Sequence, residues 1–338
     1  MRPPETASAR AGACRSSQAA YRSRSVIQDT VTEPAPATHL PLPSPGRHGT
    51  LKPMQPPATL SAALALIAQA PDLWPGFCPQ RTPLLTFDGT HTWLHQLTGP
   101  PPDPLAGPDW TAHPDGWGWP GRWPDLNANT ALPLGNGQWA AACCCPAGRT
   151  GRPDAGRHPD PRAFHVYQHA TPSVAWEVSE LDALTYPACT PVLHARAEET
   201  RCLRRALHET DWITPARQAL FWRGQRHALL TDTERTFETR METREGLATY
   251  VETRFLQQLP ALAAAAAPGL GPRRWAYVSG AALAHLLDRH DPQRRWPQAV
   301  LTGQPLAGLL LERTGPPLPV APARRPARPP CRGRPPPH

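Results

Sequence analysis

The chain has 338 residues, of which 47 are proline, about 14% against a usual ~5%, and Lys52 is its one lysine among 35 basic residues. Charged residues make up 18%, too few for a coiled coil or a highly charged disordered chain, and no run of ~18 apolar residues exists to cross a membrane as a helix. The net charge of +8 sits at the ends: residues 1–54 carry seven basic and three acidic residues, 316–338 carry five arginines and no acid, and 55–315 sums to −1. A nucleic-acid-binding domain holds its positive charge on its folded surface, so nucleic acid is not an expected partner, and neither is a membrane.

Residues 1–54 mix Ser, Arg, Ala and Pro without a period, which predicts a disordered extension. Met54 directly precedes the first periodic segment and is a candidate native start. Leu60, Ala63, Leu64 and Ile67 recur at helical spacing and predict a helix over 59–70. Leu84 to Phe87 and Thr90 to Leu94 flank Asp88-Gly89, a two-residue hairpin signal in which both central residues need positive φ. Residues 99–124, rich in Pro, Gly and Trp, read as a long surface loop. A second hairpin is expected from Thr130–Leu134 through Gly135-Asn136-Gly137 to Gln138–Ala142.

The chain then turns helical. Asp160-Pro161 is an N-cap followed by proline at the first helical position, and predicts a helix to Ala170. Further helices are expected over 191–207, 215–229, 233–259, 273–290 and 304–312. Residues 315–338 hold ten prolines and cannot form a core. The fold class is therefore α+β, mainly helical, with a small N-terminal antiparallel sheet, one domain over 55–314 and disordered tails. Eight cysteines occur without a CxxC, and no secretory start is present, so a reducing, cytoplasmic compartment is expected.

Two segments carry chemistry. The first is Ala163-Phe164-His165-Val166-Tyr167-Gln168. The second, 80 positions after His165, is Glu245-Gly246-Leu247-Ala248-Thr249-Tyr250. Together with the run Tyr277-Val278-Ser279-Gly280-Ala281-Ala282 and Trp296, in that order, they resemble the gluzincin zinc metallopeptidases. There an HExxH helix supplies two histidine ligands on one face and a general-base glutamate, and a later helix supplies a third, carboxylate ligand. The resemblance covers about 75–310. It implies a zincin-like domain, a zinc cofactor, a peptide or protein substrate, and His165 and Glu245 as metal ligands. Glu242, one turn before Glu245, is a candidate to orient a ligand, and Tyr250 to hydrogen-bond a substrate oxyanion or to pack.

The first half of HExxH is missing. Its His falls at Pro161 and its Glu at Arg162, and neither can replace what the chemistry needs. Residues 143–162 have the flavour of GC-rich DNA read out of frame, and one nucleotide missing before Ala163, with a compensating slip near Cys143, would restore His-Glu there. As written, the chain is expected to bind zinc weakly or not at all and to show no peptidase activity; a non-catalytic peptide-binding or scaffold protein on the same fold is the alternative. His169, at i+4 from His165, is a candidate for a two-His face or for a contact with a ligand or substrate, and a surface position is the favoured reading. His208-Glu209 begins like HExxH but ends in Trp212, and reads as a helix terminus. Glu238, Glu242, Glu245 and Glu252 form an acidic stripe, in which Glu238 and Glu252 read as solvated. Cys143, Cys144 and Cys145 alternate faces in a strand and make a poor chelate. The sequence does not fix an oligomeric state.

Overall fold

The computed structural model describes residues 72–95, 110–114, 116–123, 126, 130–135, 137–144, 160–171, 173–262 and 271–320. The helix expected at 59–70, the extension 1–54 with Met54, the stretch 145–159 and the tail from 321 lie outside them.

Strands β1 (Leu84–Phe87) and β2 (His91–His95) form the first hairpin, with Leu85 opposite Leu94. Its turn is built differently from the expectation: only Gly89 is left-handed, at φ 108°, and Asp88 Oδ1 accepts the backbone N–H groups of Thr90 and His91 at 2.8 Å each. An aspartate closing its own turn removes the need for a second positive φ. The stretch expected to be all loop contains β3 (Thr111–His113) and β4 (Gly116–Pro120). Gly116, at φ 143°, lies so close to β2 that a Cβ would come within 2.1 Å of the Leu94 carbonyl oxygen, so this strand pairing requires glycine there. Strands β5 (Thr130–Gly135) and β6 (Gln138–Cys144) make the second hairpin as expected.

The six strands lie in the order β3-β4-β2-β1-β6-β5. Every pair is antiparallel except β1–β6, which is parallel, so the sheet is mixed rather than antiparallel. The strands between β1 and β6 in sequence make the long crossover that a parallel pair needs. Alternation then sorts the side chains: Leu84 and Ala141 face the helices, whereas Leu85, Leu94, Leu132, Ala140 and Ala142 form a smaller core on the other face.

The helices are α1 (Asp160–Ala170), α2 (Thr190–His208), α3 (Ile213–His227), α4 (Asp232–Met241), α5 (Leu247–Phe255), α6 (Pro272–His290), α7 (Trp296–Leu301) and α8 (Leu306–Thr314). Thr231 and Glu234 form a capping box that starts α4. The single helix expected over 233–259 is a rod of two parts, α4 and α5, joined by a π-helical turn at Glu242–Gly246 and ending at Phe255. Trp74, Phe164, Tyr250 and Trp296 meet edge-to-face at centroid distances of 5.5–6.4 Å in the main core, a geometry favoured by the ring quadrupoles. Beyond α8, Leu318 N–H donates to the Arg217 carbonyl at 3.1 Å, so the chain is ordered past the expected start of the tail. Among the described residues no helix is long and apolar enough to cross a membrane. Cys78 and Cys202 are free thiols, and Cys189 is disulfide-bonded.

Candidate functional site

Helix α1 buries Ala163, Phe164 and Val166 in the main core, which leaves His165 on its flank beside the π turn of the α4–α5 rod. There His165 Nε2 lies 3.5 Å from Glu245 Oε2, with side-chain exposures of 19% and 3%. Two residues 80 positions apart, chosen from motif resemblance, are thus brought together.

The ring of His165 is held by its other nitrogen. Gln168 Nε2 donates to the Arg244 carbonyl at 2.9 Å, which turns Gln168 Oε1 toward His165 Nδ1 at 2.7 Å. An amide oxygen only accepts, so Nδ1 carries the proton. Neutral His165 would therefore aim an Nε2 lone pair at a carboxylate. That orientation suits a positive charge held between the two side chains. Burial by itself would raise the Glu245 carboxyl; the His165 ring, the Tyr277 hydroxyl and the Arg244 guanidinium outweigh it and pull the carboxyl down to about 2. Arg244 Nε and Arg273 Nη2 stand 3.7 and 3.9 Å from its second oxygen. Burial, then the Glu245 charge, pushes the Tyr277 phenol up to about 12.

The rod and α6 cross backbone to backbone to make this cluster. A Cβ on Gly246 would come within 2.6 Å of Gly280 Cα, and one on Gly280 within 2.3 Å of the Glu242 carbonyl oxygen. Only glycine at both positions permits the crossing. It sets Tyr277, about one turn before Gly280, against Glu245, the neighbour of Gly246. Tyr277 and Gln168 are the site residues that sequence reasoning missed, although both stand in segments it quoted.

The remaining candidates fall elsewhere. His169 is exposed and stacks flat on Trp139 at 4.0 Å, as a surface residue beside the site. Glu242 does not orient Glu245 directly: its carboxylate takes Arg223 in a fork at 2.6 and 2.7 Å and the Ser279 hydroxyl at 2.5 Å. Tyr250 is fully buried and donates to Asp288 at 2.7 Å, so it packs and has no access to an oxyanion. Glu238, expected in solvent, is 1% exposed and paired with Arg226, Tyr186 and His227. Packing of α3 against α4 explains this, because Arg226 and His227 on α3 face Glu238, and the π turn separates Glu245 from the stripe after Glu242. Glu252 is half-buried. His208 is exposed at the end of α2, and Glu209 pairs with Arg205.

Zinc ligands at bond lengths of about 2.0–2.2 Å and tetrahedral angles are roughly 3.4 Å apart. The His165–Glu245 spacing of 3.5 Å fits two such corners. A third would come from position 161, one turn earlier on α1, and proline stands there. Among the described residues no group of three or more His, Cys, Asp or Glu is placed to hold a metal ion. The residues present therefore do not complete a zinc site. No family model, curated protein or solved structure matches the chain.

Proposed function

We propose that this is a zinc-metallopeptidase-like protein whose catalytic site is incomplete in the sequence as it stands. The observation that supports the reading is the meeting of His165 and Glu245 at ligand–ligand spacing, with the His165 tautomer fixed by Gln168. In this reading the two residues are two ligands of a former three-ligand site. Arg162 occupies the place of the general base, and a guanidinium takes up no proton at neutral pH. The chain then binds zinc weakly or not at all and cleaves no peptide bond. A second reading, a non-catalytic peptide-binding or scaffold protein on the same fold, draws on exposed His169 stacked on the partly buried Trp139 and on the part-exposed Arg244 and Arg273 around the pair. Such a surface offers aromatic and cationic contacts to a peptide. A cytoplasmic location is an expectation from overall cysteine usage alone.

The test compares the full chain with a Pro161→His/Arg162→Glu variant, by zinc content after exhaustive dialysis and by cleavage of fluorescent casein. The wild-type chain is expected to hold little zinc and leave casein intact, and the variant to hold zinc stoichiometrically. Tightly held zinc with casein cleavage in the wild type would overturn the impaired-site reading. A folded variant that takes up no zinc would overturn the metallopeptidase reading itself. Wild-type binding of unstructured peptides without zinc would favour the second reading.

A further inference from the structure

Glu242 is the first residue of the π turn, and it is gripped at both ends. Its carboxylate receives Arg223 from α3 and Ser279 from α6. Its carbonyl oxygen lies against Gly280 so closely that a Cβ there would come within 2.3 Å. Glu242 is 2% exposed and Arg223 5%, so the grip is shielded from solvent. Three positions later the same turn delivers Glu245 to His165.

The shape of the turn decides where Glu245 goes. An α-helix turns about 100° per residue, so losing the extra residue of the π turn would rotate α5 by about that angle relative to α4. Glu238 and Glu242 could not then face the arginines while Glu245 faces α1. Nothing in the local sequence Glu242-Thr243-Arg244-Glu245-Gly246 demands a π turn, and the hydrogen bonds of a regular helix oppose one. The restraint has to come from tertiary contacts, and those at Glu242 and at Gly246–Gly280 are the ones in place.

We propose that Glu242 is a positioning residue: the Arg223–Glu242–Ser279 clamp, with the Gly246–Gly280 contact, holds the π turn that places Glu245 on His165. The idea rests on reading that pair as a site, but it concerns geometry and is tested without metal.

The probe is carbethoxylation of histidine by diethyl pyrocarbonate on the full-length chain, with rates at His165 and at the exposed His208 read from peptide masses. In the wild type, Glu245 masks Nε2 of His165. Glu242→Gln removes the charge that holds Arg223, and Gly280→Ala presses a methyl group on the Glu242 carbonyl. Each is expected to speed modification at His165 by roughly fivefold, with His208 unchanged. Glu199→Gln is the control: Glu199 is equally buried and pairs with Arg223 Nη2 at 2.7 Å, but it lies on α2, outside the turn. It is expected to lower stability and leave His165 protected. Should Glu242→Gln fail to fold, Ser279→Ala removes one hydrogen bond of the clamp and takes its place. An unchanged His165 rate in the Glu242 or Ser279 variant, or an equal rise in Glu199→Gln, would overturn the proposal. If Pro161→His/Arg162→Glu takes up no zinc while His165 responds to Glu242 and not to Glu199, the site reading falls and the positioning role stands.

Discussion

Glu238 on α4 and Glu242 at the start of the π turn meet α2, α3 and α6 in a closed network of charge, whereas Glu245, on the same rod, meets α1 at a half-open edge. In the network, Arg196, Arg223 and Arg226 are all but sealed from water with Glu199, Glu238 and Glu242, and the last two arginines pair with the glutamates. Their guanidinium carbons lie 4.8, 5.9 and 4.3 Å from the ring of Trp275. Arg226 reaches both Glu199 and Glu238, and Arg223 reaches Glu199 at 2.7 Å and Glu242 at 2.6 Å. At the edge, Glu245 has one histidine at 3.5 Å and two arginines beyond 3.6 Å, with side-chain exposures of 28% and 48%. Fixed side chains fill the first cluster, so its chemistry is structural. The second holds an ionised carboxylate among a histidine, the Tyr277 hydroxyl and two part-exposed arginines at the edge of the helices.

The contrast is broken most directly at Arg226, which is fully buried and answers two carboxylates. Arg226→Ala leaves Glu199 and Glu238 without it in a low-dielectric interior. Removing one partner of a buried pair costs about 3–5 kcal/mol, because the other charge stays behind. Urea unfolding should show that loss, and a loss below about 1 kcal/mol would mean that water reaches the network, as at a surface ion pair.

The two regions were unequally legible in the sequence. The hairpins at 84–95 and 130–144 and the helices other than α7, with α4 and α5 read as one, follow from turn residues and periodicity, which are local signals. Strands β3 and β4 escaped because Trp117 and Trp119 alternate with glycines, a pattern that composition alone reads as loop. The short helix α7, begun by Trp296-Pro297, gave too few residues for a period. His165 and Glu245 were legible because a motif named them, and the fold brought them together. The network was not legible. Arg223, Arg226 and Glu199 look like any solvated helix residues until α2, α3, α4 and α6 pack around Trp275, and the π turn that separates Glu242 from Glu245 is made by tertiary contacts. Charge burial is a property of the assembled helices, and no window of sequence contains it.

A sharper comparison comes from acid. The folded-state pKa of Glu245 is depressed to about 2 from 4.5. Its contribution is therefore present above about pH 4.5, where the unfolded chain is also ionised, and is lost as pH falls through about 2. At ~1.4 kcal/mol per unit the full shift corresponds to about 3 kcal/mol at most. Burial depresses His285 from 6.5 to about 4, so the unfolded chain takes up that proton first and stability falls between those values as well. Unfolding free energies measured from pH 7 to 2 should then decline in two windows. Glu245→Gln should flatten the lower window and His285→Asn the upper. If Glu245→Gln leaves the slope between pH 4.5 and 2 unchanged, the His165–Glu245 pair does not form in solution.

The smallest effect is expected at Glu180, the outermost member of the open edge. It pairs with Arg273 at 2.7 Å, and both side chains are 48% exposed. Arg273 also donates to the Tyr277 hydroxyl at 3.2 and 3.3 Å, so it keeps partners when Glu180 is gone. An exposed pair of two long side chains gains little Coulomb energy in water and gives up rotamer entropy, so Glu180→Ala should cost less than about 1 kcal/mol. In 1 M salt, where the Debye length is about 3 Å, even that should vanish. The loss at Arg226 should survive the same salt, because counterions do not enter the network. Equal salt sensitivity at Glu180 and Arg226 would erase the difference between the two clusters, and a salt-resistant loss of several kcal/mol at Glu180 would make the edge around Glu245 as closed as the network behind it.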